Sequence, residues 1–212
     1  MSDPAFARTA PLKRAQAFAL DIVVPCFNEE AVIGQTHQRL RETARGIEGA
    51  RVTIIYVDDG SRDATMQRLR AIAAGDPDTR VVALSRNFGH QYALTAGLDA
   101  SRGDAVVVID ADLQDPPEVI PRMVERWRDG ADVVYGVRSS RQGESAFKRG
   151  TAHLFYRLLQ RLGDASIPAD VGDFRLLDRR VVATLHDMPE RDRFLRGLVV
   201  WAGFRHEGVA YE

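Results

Sequence analysis

One cysteine, Cys26, stands in 212 residues. No internal disulfide can form, and the chain suits a reducing compartment such as the cytosol. Long apolar runs are missing as well. A membrane-spanning helix needs roughly 18 nearly uncharged residues, whereas the longest apolar stretches, Ala105–Ile109 and Leu198–Phe204, are far shorter. The first twenty residues have no sustained apolar core, which makes them a poor signal peptide, and the chain reads as soluble. Neither sign of charge is in excess: 29 basic and 30 acidic side chains leave a formal net charge of −1. That argues against a generally basic, nucleic-acid-binding protein. Several signatures are also absent. There is no G-x-G-x-x-G after the first apolar run and no G-x-x-x-x-G-K-[ST] loop, which disfavours dinucleotide cofactors and P-loop nucleotidases. Without G-x-S-x-G or H-E-x-x-H, serine-hydrolase and zincin readings lapse. The five histidines show no metal spacing and read as structural or solvated; Cys26, with no paired His motif, reads as packing.

What is present is globular, with 45% hydrophobic and 28% charged residues and enough chain to bury a core. Residues 1–18 read as a flexible leader. Short β-branched runs then recur at Asp21–Pro25, Val52–Val57, Val81–Leu84, Ala105–Ile109 and Asp132–Val137. Helically spaced stretches separate them, so an α/β fold is expected: a mostly parallel central sheet with helices on both faces. Asp63 is placed to cap one helix and Pro117 to open another. After about Arg138 the pattern changes. A polar loop leads to an amphipathic segment at Phe147–Leu162, and a short extended piece follows at Asp173–Leu177. Helical segments near Asp178–His186 and Asp192–Val200 precede a closing strand at Phe204–Tyr211. One domain over 19–212 is expected, with a core over about 19–137 and a C-terminal subregion over about 138–212 completing the site.

In open parallel sheets, ligands bind beyond the carboxyl ends of the strands. Five apolar runs here end in polar clusters: Pro25-Cys26-Phe27-Asn28-Glu29-Glu30, Asp58-Asp59-Gly60-Ser61, Ser85-Arg86-Asn87-Phe88-Gly89-His90, Asp110-Ala111-Asp112-Leu113-Gln114 and Gly136-Val137-Arg138. If the backbone stays extended past Ile109, Asp110 and Asp112 point the same way. Two hard oxygen ligands without thiol or imidazole suit Mg²⁺ or Mn²⁺, completed by waters and substrate phosphates. A turn or helix-cap role is the alternative for a lone D-x-D. Asp58-Asp59 serves either a turn or a hydrogen bond to a base or ribose. Asn28-Glu29 is either a helix-entry cap or a nucleoside contact. Arg86 and Arg138 are either surface charges or phosphate neutralisers beside a metal–diphosphate site.

The ordered set VVPCFNEE, VDDGSRD, LSRNFGHQYAL, VIDADLQDPPE, YGVR and VGDFRLLDRR resembles glycosyltransferase family 2. Within that family it is most similar to the polyprenyl-phosphate branch of dolichyl-phosphate mannose synthases and bactoprenol glucosyltransferases. The resemblance runs from about Asp21 to the C-terminus. It implies a GT-A fold and inverting transfer of a hexose, with glucose from UDP-glucose preferred over mannose from GDP-mannose, onto a polyprenyl phosphate. Carried over by position, Pro25, Asn28, Glu29 and Asp59 line the nucleoside pocket, with Arg86 among the nucleotide contacts. Asp110, Asp112 and Gln114 hold the divalent cation. Arg138, helped by Lys148 or Arg149, meets the acceptor phosphate. Asp173 sits near the transferred sugar as base, sugar-hydroxyl ligand or local cap, and Arg193 and Arg196 lie near the diphosphate and acceptor path. The likeness further implies a peripheral position on the cytoplasmic face of a membrane, homo-oligomers, and membrane spans beyond the last residue of this chain. A sugar-hydroxyl acceptor and a catalytically idle nucleotide-sugar-binding domain are the competing readings.

The near-zero net charge conceals a division. Residues 104–118 hold five acids and no base, whereas residues 138–161 hold six Lys or Arg and the single acid Glu144.

Overall fold

A computed structural model of the chain describes residues 14–138, 172–190 and 194–211. Strands and helices alternate as β1 (Phe18–Cys26), α1 (Ile33–Arg45), β2 (Ala50–Asp58), α2 (Thr65–Gly75), β3 (Thr79–Ala83), α3 (His90–Ala100) and β4 (Ala105–Val108). A 3₁₀ turn at Pro117–Val119 then opens α4 (Ile120–Arg128), followed by β5 (Val133–Arg138). The later residues form β6 (Arg175–Asp178), α5 (Arg179–Asp187), α6 (Leu195–Trp201) and β7 (His206–Tyr211).

The seven strands of the described residues share one sheet in the order β3-β2-β1-β4-β6-β5-β7. Pairings β3–β2, β2–β1, β1–β4 and β5–β7 are parallel, and only β6 runs antiparallel to its neighbours β4 and β5. Side chains of period two feed both faces of the sheet. Leu20, Ile22 and Val24 of β1 join Ile54 and Tyr56 of β2 in a core covered by α1, α2 and α4. Val23, Ile55, Val57, Val106 and Val108 face the other way, against Leu94 and Leu98 of α3, Val181 and Leu185 of α5 and Val199 of α6. The expected two-faced, mostly parallel architecture is therefore observed. No helix among the described residues is long and apolar enough to cross a membrane.

Pro117 acts as the sequence indicates, whereas the N-cap position of α2 is Ala64 and Asp63 acts one residue before it. Asp63 accepts hydrogen bonds from the Thr65 N–H (3.0 Å) and hydroxyl (2.6 Å) at the start of α2, and Pro117 begins the turn into α4. Two further readings need correction. The leader does not extend to residue 18, because β1 starts at Phe18 and Arg14 is bonded to Asp132 and Asp178; residues 1–13 lie outside the described residues. Nor does the backbone remain extended past Ile109. β4 ends at Val108 and a turn takes over at Ala111-Asp112, followed by Leu113 at a left-handed φ of 60°. That conformation costs a β-carbon-bearing residue on the order of 1 kcal/mol. The amphipathic stretch 147–162 lies outside the described residues.

The antiparallel β6 matters most for the site. It enters beside Val108, which pairs with Arg175, so the residues just before β6 are delivered to the carboxyl end of β4.

Candidate active site

A cavity of about 300 Å³ opens beyond the carboxyl ends of β1, β2 and β4. Pro25, Cys26, Phe27 and Glu29 from the end of β1 line it, as do Asp59 after β2, and Asn87, His90 and Ala93 around the start of α3. Asp110, Ala111 and Asp112 close the remaining side.

The loops are built to hold this shape. Asp59 does not point a free carboxylate at the cavity; its two oxygens accept the N–H groups of Phe88 (2.8 Å) and Gly89 (2.9 Å). Gly60, at φ 68°, permits that approach, since a β-carbon there would lie 2.4 Å from the Arg86 carbonyl carbon. Asn28 takes a left-handed φ of 58°. Its amide oxygen accepts the Arg62 N–H at 2.9 Å and its own N–H donates to the Ser61 hydroxyl. The β1 and β2 loops are thus stitched together, a task to which Asn is suited because it tolerates the left-handed region.

Among the described residues, no Lys or Arg side chain lines the cavity. Among the described residues, Asp110 Oδ1 is buried without a hydrogen-bond partner, and the counter-group it faces is His90 Nε2, at 3.8 Å. Burial pushes the Asp110 carboxyl up, partly offset by His90, and the negative charges of Asp173, Asp112 and Asp115 push it further. Burial likewise raises Glu29, with Asp112, Asp63 and Asp110 adding to the effect. The Cys26 thiol is pushed well above its usual value by burial and by nearby acids, which makes it an inert wall rather than a nucleophile.

Behind the cavity stands a different acid. Asp173, with a side chain only 9% exposed, accepts a hydrogen bond from His90 Nε2 (3.1 Å) and pairs with Arg196 (3.1 Å) and Arg175 (3.7 Å). Burial would raise its pKa, but the His90 hydrogen bond and the charges of Arg196 and Arg175 outweigh that and hold the carboxyl below its usual range. Burial in turn brings Arg175 down to about 10.

A protein-family model described as glycosyl transferase family 2 matches residues 21–185. The chain belongs to glycosyltransferase family 2. The family 2 chain is 50% identical over 190 residues to an uncharacterized glycosyltransferase, YkcC, of Bacillus subtilis strain 168; the match covers 90% of this chain and 58% of that protein. It is 43% identical over 192 residues to the bactoprenol glucosyl transferase of Shigella phage SfX, covering 91% of this chain and 63% of the phage protein. It therefore spans about three-fifths of the length of these curated relatives. Among solved structures, glucosyl-3-phosphoglycerate synthase from Mycobacterium tuberculosis, in complex with Mn²⁺, UDP and phosphoglyceric acid, superposes with a TM-score of 0.56 at 25% identity. That match covers 77% of this chain and 57% of the synthase chain. The family 2 chain has the α/β GT-A fold.

Of the residues singled out in its sequence, the family 2 chain gathers Pro25, Glu29, Asp59, Asp110 and Asp112 around one cavity. Others are absent from that lining. Asn28 is engaged in the loop, and neither its side chain nor that of Glu29 caps α1. The Arg86 guanidinium sits 4.0 Å over the Phe88 ring and donates to the Asn87 carbonyl. Gln114 is exposed, and its N–H donates to Asp112 Oδ1 at 3.0 Å. Arg138, at the end of β5, donates to Asp115 (2.8 and 3.1 Å) and to the Tyr211 hydroxyl (3.3 Å), with a third of its side chain exposed. Its positive form is reinforced first by the Asp115 hydrogen bond. Tyr211 also donates to Asp115 and is pushed up to about 12, first by burial. Lys148, Arg149 and Arg193 lie outside the described residues. His90 escaped the sequence reading because histidine spacing carried no metal signal; its place directly after a polar strand end was the available clue.

Proposed function

We propose that the chain transfers glucose from UDP-glucose, with inversion, to a polyprenyl phosphate at the cytoplasmic surface of a membrane. The observation that carries this reading is the acid-rich rim at the carboxyl end of β4, where Asp110 Oδ1 is buried with no hydrogen-bond partner among the described residues and Asp112 lines the same cavity. Similarity to a protein named bactoprenol glucosyl transferase supports the choice of sugar and acceptor.

The donor set fits a divalent cation. Among the described residues no group of three or more His, Cys, Asp or Glu side chains is arranged to hold a metal ion by itself. Two hard carboxylates open to a cavity suit an ion such as Mg²⁺ or Mn²⁺ that keeps waters and takes substrate phosphates. Asp110 and Asp112 would hold it, with Gln114 contributing after a turn of its exposed side chain. Such an ion, when bound, offsets the charge that develops on the leaving nucleoside diphosphate.

The remaining work falls to the chain's own groups. Pro25 and Phe27 offer an apolar wall and Glu29 a carboxylate to the nucleoside; Asp59 keeps the 87–89 loop in place behind them. The lipid phosphate is already an anion, so no proton need be removed to make it a nucleophile. Arg138 presents the exposed part of its guanidinium to that phosphate, while Asp115 and Tyr211 fix its direction. Rate then derives from positioning and electrostatic stabilisation. The purified chain incubated with a panel of nucleotide sugars, polyprenyl phosphate and Mg²⁺ or Mn²⁺ tests this. Metal-dependent formation of glucosyl-lipid from UDP-glucose is expected. Transfer that survives chelation overturns the metal assignment, a different preferred donor overturns the sugar assignment, and no lipid product overturns the acceptor.

A further inference from the structure

His90 is the first residue of α3, and its imidazole stands between carboxylates from distant parts of the chain. Asp110 follows β4, whereas Asp173 precedes β6. His90 lines the cavity, but Asp173 does not. Asp173 is instead gripped from behind. Arg175, itself buried, donates to the carbonyls of Gly172 (2.8 Å) and Asp173 (3.3 Å), so the segment carrying the acid is tied to the sheet. Contacts run continuously from Arg175 through Asp173 and His90 to Asp110. Both Asp173 oxygens already face cations, Oδ2 toward His90 and Oδ1 toward Arg196 and Arg175. An acid so engaged is suited to orienting a neighbour rather than to taking up a proton.

Resting on the transferase reading above, we infer that His90 is a positioning residue of the transfer step and works with Asp173 as a single unit. Asp173 fixes the imidazole. The imidazole in turn keeps the Asp110 rim and the C-terminal part of the chain in one relation across the cavity in which the donor sugar reacts. A misplacement of about 1 Å at such a point can cost on the order of a hundredfold in rate.

The test compares wild type, His90→Ala, His90→Gln, Asp173→Asn and the His90→Ala/Asp173→Asn double variant of the 212-residue chain. Steady-state transfer from UDP-glucose to polyprenyl phosphate is measured beside Mn²⁺ affinity in the presence of UDP. His90→Ala should lower kcat about thirtyfold, while KM for UDP-glucose and Mn²⁺ affinity stay within about threefold. Glutamine keeps an N–H donor for Asp173, so His90→Gln should recover about fivefold or more of that loss. Because the two groups act as a unit, the double variant should be no slower than the slower single variant within about twofold. Wild-type rates in His90→Ala, multiplying losses in the double variant, or Mn²⁺ affinity that falls in step with kcat would each overturn the inference. Should the alanine variant fold poorly by circular dichroism, the glutamine and asparagine variants decide it: a folded His90→Gln as slow as Asp173→Asn overturns the donor role. A wild-type chain that makes no glucosyl-lipid overturns the transferase reading itself, and this inference with it.

Discussion

Two acid clusters, one at each end of the sheet, are treated differently by the fold. At the end away from the cavity, Asp132 and Asp178 are enclosed by Arg14, Arg180 and Trp127. Arg14 pairs with Asp132 at 2.9 Å and Asp178 at 2.8 Å, Arg180 pairs with both, and the Trp127 indole donates to Asp178 at 2.8 Å. Burial alone would raise Asp178, but hydrogen bonds from Arg180 and Trp127 and the charge of Arg14 hold it below the usual range. At the cavity end, Asp110 and Glu29 are raised by burial and by one another's neighbours. Asp132 and Asp178 form a finished structural joint, whereas Asp110 and Glu29 are left in an incomplete electrostatic arrangement among the described residues. An acid that the fold leaves short of cations marks where a charged ligand belongs.

The largest way to sharpen this contrast is Asp112→Ala. Turnover should fall by about a hundredfold or more, while urea denaturation shows stability changed by no more than about 0.5 kcal/mol. Undiminished transfer would remove Asp112 from the site. Arg14→Ala should behave in the reverse manner. It strips a cation from two enclosed carboxylates and should cost about 3 kcal/mol of stability, read by the same denaturation, while leaving turnover per folded molecule unaltered.

Gly97→Ala probes the link between the two ends. A β-carbon at Gly97 of α3 would lie 2.2 Å from Val23 Cγ1 of β1, so the helix must move away from the sheet. A loss of about 1–3 kcal/mol is expected, accompanied by slower turnover because α3 begins at His90; a silent substitution would show that α3 is not held as tightly as described.

The smallest effect is pH-dependent. Asp110 has a folded-state pKa above its unfolded value. Its favourable contribution is therefore complete below the unfolded pKa and lost as pH rises through the folded one. Asp110→Asn should accordingly stabilise the metal-free chain at neutral pH and make no difference below about pH 4. With 41% of the side chain exposed, solvent screening keeps the gain under about 1 kcal/mol. Asp178, with a lowered folded-state pKa, acts with the opposite sign: its contribution is present above the unfolded pKa and disappears as pH falls through the folded one. Thermal melts across acid and neutral pH check both directions.

Much of the fold was legible because period-two apolar runs and the polar clusters that end them are local patterns. β1, β2, β3, β4 and β5 fall where those runs predict, and Glu29, Asp59, Asp110 and Asp112 meet at one cavity for that reason. Other features have no local signature. Asn28 and Arg86 sit in the same motifs as cavity residues, yet their side chains hold loops, because hydrogen-bond partners such as the Arg62 N–H and the Asn87 carbonyl are set by how loops cross. Arg14 carries no sequence mark of its role and His90 only its place at a polar strand end, since their partners Asp173, Asp132 and Asp178 are remote along the chain.

By itself, the sequence determined an α/β sheet, the end of that sheet at which chemistry gathers, and an acidic rim set apart from a basic tract. Alternation along a strand and composition along the chain suffice for these. Only the tertiary structure decided which acids are neutralised and which are left waiting. The reversal of β6 sets Asp173 beside His90 at one end of the sheet and Asp178 beside Arg14 at the other, pairings between residues remote along the chain that no local pattern encodes.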